Sequence, residues 1–101
     1  MPQTVAVEDV LERIDQNEKQ AIGRMIDWLK IPSVGTDPAY DAETARAAAW
    51  CADHLRESGF SVELIQTARP AENHRGQPVV FATCDGAPGY DGPHVLFYGH
   101  Y

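Results

Sequence analysis

Apolar residues recur at three- and four-residue steps over the first third of the chain: Val7, Val10, Leu11, Ile14, Ala21, Ile22, Met25, Ile26 and Leu29. That spacing stacks side chains on one side of a helix, so residues 7–30 are predicted to form one long amphipathic helix. Pro32 closes it, because the residue before a proline is pushed out of the α region. Residues 33–40 read as a loop, with Gly35 and the Asp37-Pro38 pair supplying its turns. A second helix is predicted from Asp41, with Asp41 as its N-cap, strong helix formers over 45–49, and Gly59 as the left-handed residue past its end. Its inward side is expected to carry Ala48, Ala49, Ala52 and Leu55.

Beyond Gly59 the period changes to two. Phe60, Val62 and Leu64 alternate with Ser61, Glu63 and Ile65, the pattern of a strand with one wet face near a sheet edge. A polar stretch over 68–77, holding Pro70 and Gly76, leads into Pro78-Val79-Val80-Phe81-Ala82-Thr83-Cys84. The proline is tolerated there because it stands first. Asp85-Gly86, Pro88-Gly89 and Asp91-Gly92-Pro93 are dense turn chemistry before a third strand predicted over 94–99. The second and third strands are apolar on both faces, whereas two helices cover only one face of a sheet. The layout is therefore α/β, two helices then three strands, with one sheet face and one strand edge awaiting cover. No internal repeat or low-complexity segment interrupts it.

Composition narrows the class. At 101 residues and 44% hydrophobic, residues 1–101 form one domain at most and have globular character. A net charge of −7 argues against a nucleic-acid partner, which needs clustered Lys and Arg to displace counterions from phosphates. Met1-Pro2-Gln3-Thr4-Val5 has neither a basic n-region nor an apolar h-region, and no run approaches the roughly 20 apolar residues that a bilayer requires. The expectation is a cytoplasmic chain without a membrane partner, in which Cys51 and Cys84 stay reduced and behave as small hydrophobes.

Candidate chemistry gathers at one place. Val95-Leu96-Phe97-Tyr98 ends in Gly99-His100, and a strand buried on both faces delivers functional side chains at the carboxyl edge of its sheet. His100 thus reads as a metal ligand or general base, with Gly99 letting the backbone turn sharply beside it. His54, His74 and His94 have no partner at helical spacing and read as solvated or packed. Asp37, Asp85 and Asp91 each precede Gly or Pro and are explained by turns. Ser33 has no adjacent base, and Trp28 and Trp50 fall at helix positions where packing accounts for them.

Trp28-Leu29-Lys30-Ile31-Pro32-Ser33-Val34, Thr36-Asp37-Pro38-Ala39-Tyr40, Trp50 with Leu55, Gly59-Phe60-Ser61-Val62-Glu63, and Val95 through Tyr101 follow one another in an order that resembles a known family. It is the zinc-dependent dipeptidase and carboxypeptidase family that includes carnosinase, acetylornithine deacetylase and succinyl-diaminopimelate desuccinylase, and the wording is most similar to its bacterial dipeptidase branch. The resemblance covers roughly residues 10–101 and implies the N-terminal part of an α/β/α aminopeptidase-like (zinc exopeptidase) domain. In that family the last motif continues as His-Tyr-Asp, the histidine binding one zinc and the aspartate orienting it. By that match His100 is a metal ligand and Tyr101 fills the variable middle position. The family's remaining ligands and its glutamate base have no counterpart in residues 1–101.

The resemblance implies a hydrolase with two zinc ions per complete catalytic domain, acting on a dipeptide or N-acyl amino acid, often homodimeric through a further domain. No catalytic residue is assigned to this chain, and tight zinc binding by it alone is not expected, since a zinc site needs three or four ligands at roughly 2.0–2.3 Å. The alternative is a non-catalytic interaction module that docks on a partner through its open sheet edge.

Overall fold

The computed structural model describes residues 5–72 and 76–101. Among them the chain forms three helices, α1 (Val7–Gln16), α2 (Glu18–Leu29) and α3 (Asp41–Glu57), and two strands, β1 (Ser61–Ile65) and β2 (Val79–Thr83). The mixed α/β class holds, but the count of two helices and three strands does not.

The single helix expected over 7–30 is broken at Asn17. Its backbone sits at φ −105°, ψ 11°, and its side-chain amide donates to the Arg13 carbonyl at 2.8 Å. Asparagine competes in this way with the helix ladder, whereas a straight-chain residue has nothing to offer in its place. The Asn17 carbonyl then accepts from Ala21 N–H at 3.0 Å and starts α2. The apolar faces of both helices, with Val10, Ile14, Ile22 and Met25 among them, remain exposed.

At the start of α3 the chain tightens into a 3₁₀ turn over Pro38–Tyr40, capped by the Asp37 carboxylate, which accepts from Ala39 N–H at 3.0 Å. Tyr40 takes the N-cap position expected of Asp41, and Asp41 becomes the first helical residue, where a carboxylate still favours the helix dipole. Thr44, Ala47, Ala48 and Ala52 are the buried residues of α3. Ala47 rather than Ala49 therefore completes the inward stripe, and Leu55 is only half-buried. These short side chains bring α3 close against β1 and β2, with Ile31 buried beyond the end of α2. Gly59, at φ +97°, ends the helix as its sequence position implies.

β1 and β2 pair antiparallel, with Ser61 opposite Thr83 and Ile65 opposite Val79. Val62, Leu64, Val80 and Ala82 are half-buried, while Val79 and Phe81 on the other face of β2 are 47% and 50% exposed. The expected strand over 94–99 does not form. No backbone hydrogen bond ties 94–101 to any described residue, and Val95, Leu96, Phe97 and Tyr98 are between 74% and 90% exposed. A strand exists only where another backbone satisfies its amides, and β2 offers none at the required distance. The accessible surface is accordingly 8490 Å². A compact monomer of 11.1 kDa would expose roughly 5,700 Å².

Candidate functional site around His100

His100 is held by residues far from it in sequence. Tyr101 passes its phenol O–H to the Pro78 carbonyl, which fixes the end of the 94–101 segment against the entry to β2. Gln77 anchors that entry from two sides. Its carbonyl accepts from Thr67 Oγ1 at 2.7 Å, and its side-chain amide donates to Asp41 Oδ1 at 3.0 Å. Gly76 makes the approach possible: at φ +47° a Cβ would lie 2.6 Å from the Thr67 and Ala68 backbones.

These contacts enclose a cavity of about 230 Å³ walled by Ser33, Thr44, Gln77, Pro78, His100 and Tyr101. No Asp, Glu, Lys or Arg side chain lines it. The Thr44 hydroxyl donates to the Tyr40 carbonyl at 3.1 Å, and the Ser33 and His100 side chains line the cavity beside it. No hydrogen bond joins these two residues. The His100 ring is exposed and meets Tyr98 edge-on, with centroids 5.2 Å apart. Gly99 has neither a positive φ nor a neighbour that a Cβ would meet, so the sharp turn expected of it is absent.

On the far side of Tyr101 a larger groove, about 600 Å³, runs between β2 and the 97–101 backbone over a floor of Trp28, Cys51 and Leu55. Burial pushes the Cys51 thiol up from its ordinary range. The Tyr101 phenol is raised by burial first and by the Cys51 charge second. Both groups therefore stay protonated near neutrality, and neither offers an anionic ligand or a base.

The donor set does not make a zinc centre. Among the described residues no group of three or more His, Cys, Asp or Glu side chains comes together, and one imidazole beside neutral oxygens falls short of the ligand number zinc takes.

The remaining candidates stand apart from His100. His54 stacks on Trp50 at 5.5 Å, and Trp50 stacks on Trp28 at 5.5 Å, whose indole N–H donates to the Ala47 carbonyl at 3.1 Å. The three rings join α2 to α3, the packing role read for the tryptophans. His94 meets the edge of Tyr90. His74 lies outside the described residues. Cys51 and Cys84 are free thiols. Sequence reasoning passed over Gln77 and set Ser33 aside, yet both line the His100 cavity. The one local hint was position, since each flanks a proline that terminates or begins an element.

No family model matches the chain, nor does any curated protein or solved structure. No helix among the described residues is long and apolar enough to cross a membrane.

Proposed function

We propose that this chain is the amino-terminal portion of a zinc-dependent dipeptidase or amidohydrolase domain of the α/β/α aminopeptidase-like type, with His100 as one metal ligand. The reading starts from the wording of Val95 through Tyr101. One observation supports it: His100 stands exposed at a polar cavity, directly after an apolar, unpaired segment suited to the interior of a larger sheet. The reaction class is hydrolysis of a peptide or amide bond in a dipeptide or N-acyl amino acid. Zinc supplies Lewis-acid chemistry to such reactions when bound. This chain's own part is one imidazole, held in place through Tyr101 and Pro78. Further ligands, the proton-accepting carboxylate and any dimerising domain belong to polypeptide outside residues 1–101, and a cytoplasmic location is part of the same proposal.

Residues 1–101 alone are expected to show no zinc-dependent turnover of dipeptides. The decisive test is a longer polypeptide that continues through further carboxylate and histidine ligands. There His100→Ala should remove one zinc by metal analysis and lower kcat/KM by orders of magnitude. Full zinc occupancy with normal turnover in that variant would end the proposal.

A second reading, a module that docks through its open sheet edge, is favoured by the exposure of Val95, Leu96, Phe97 and Tyr98. It differs from the first in needing no metal.

A further inference from the structure

One hydrogen bond fastens the segment that carries His100. Among the described residues, the Tyr101 phenol on the Pro78 carbonyl is the sole hydrogen bond from 94–101 to the rest of the fold. The ring contact of His100 is to Tyr98, which belongs to the same segment. Where the imidazole stands therefore follows from where the Pro78 carbonyl points.

That carbonyl has little freedom of its own. The proline ring holds φ near about −65° and the Gln77–Pro78 peptide is planar. The next residue, Val79, is already paired opposite Ile65. The Gln77 backbone thus dictates the direction. Gln77 in turn is held by Thr67 Oγ1, which donates to its carbonyl, and by Asp41 Oδ1, which accepts from its side-chain amide at 3.0 Å. Thr67 closely follows β1 in the chain, whereas Asp41 opens α3, 36 residues before Gln77. The route from α3 to His100 is a carboxylate, an amide, one stiff dipeptide and a phenol. Gln77 lines the His100 cavity and Asp41 does not, so the hold of Asp41 on the imidazole runs through Gln77 rather than through contact.

We infer that Asp41 and Gln77 are positioning residues for His100: the Asp41 carboxylate holds the Gln77 amide, Gln77 aims the Pro78 carbonyl, and that carbonyl sets the imidazole through Tyr101. Such aim matters to a metal ligand, because outer partners that orient a ligating ring are worth about 10–100-fold in metal affinity. The placement stands on the contacts above, and only its consequence for zinc rests on the peptidase reading.

Nuclear magnetic resonance on residues 1–101 reads the placement without metal, through contacts of the Tyr101 ring with Pro78 and backbone order parameters at Gly99, His100 and Tyr101. The natural chain should show the ring contacts and order parameters of about 0.8. Gln77→Leu or Asp41→Ala should abolish the contacts and bring the order parameters below about 0.6, while amide exchange in β1 and β2 stays unchanged. The double variant should go no further than either single change, since both cut one path. Asp41→Asn should keep the natural values, because its amide oxygen still accepts although the charge at the helix start is gone. Contacts and order that survive Gln77→Leu, a change outside α3, overturn the inference. So does Asp41→Asn behaving like Asp41→Ala, which would assign the effect to charge at the helix start. In a longer polypeptide Asp41→Ala should weaken zinc binding about tenfold or more. Unchanged affinity there, beside zinc lost in His100→Ala, overturns the metal consequence; zinc retained by His100→Ala instead ends the peptidase reading and leaves the placement standing.

Discussion

Ala47, Ala48 and Ala52 are shut away from water on α3, while the much more apolar Val95, Leu96, Phe97 and Tyr98 lie almost bare. The alanines need only β1 and β2, which follow α3 at once in the chain and dock on it. The 95–98 run needs a backbone on each side and cover on each face. β1 and β2 supply neither, so each large side chain there forgoes roughly 1.5–3 kcal/mol of burial. Hydrophobicity states what a segment is suited to; whether it is buried depends on which neighbours can reach it. The same contrast separates a small packed corner from an exposed apolar run.

The contrast can be broken most sharply from its buried side. Ala48→Leu should overfill the contact between α3 and the hairpin and destabilise the fold by about 1–3 kcal/mol in urea unfolding, whereas Ala49→Leu, one residue away and exposed, should stay within about 0.5 kcal/mol. Equal effects at the two positions would mean that the stripe is not the core. Trp28→Phe comes next. It keeps the ring stack and loses the hydrogen bond to the Ala47 carbonyl, a cost of about 1 kcal/mol in the same measurement. Smallest in stability is the double change Leu96→Ser with Phe97→Ser, expected within about 0.5 kcal/mol because both side chains are already in water. Its signature is a marked fall in hydrophobic-dye binding and light scattering by the native chain. A large stability loss there would show that the segment is packed after all.

What could be read from the sequence is what short-range chemistry decides. The end of α3 at Gly59, the Asp37-Pro38 turn, the two-residue period of β1 and the apolar run that becomes β2 each depend on neighbours within a few positions. The break at Asn17 was missed because the apolar period continues undisturbed through it, while the interruption comes from one side-chain amide reaching the Arg13 carbonyl. The strand expected over 94–99 is absent for the opposite reason. Its residues suit a strand, but pairing is a property of two segments and its partner is not among β1 and β2. The candidate site was legible at His100 alone. Ser33, Thr44 and Gln77 reach that cavity through the folding of a loop, a helix start and a strand entry, contacts that no local spacing encodes.

The break at Asn17 also divides the molecule energetically. It leaves α1 with ten residues, none of them buried, and α2 as the one helix or strand it touches. A helix that short is marginal in water, since nucleation is costly and few hydrogen bonds follow it. α1 therefore opens and closes as its own unit, far more often than α3 and the hairpin unfold. Its amides will exchange nearly as fast as those of a free peptide, and a protease will cut there first, leaving the corner formed by α3, β1 and β2 folded behind it.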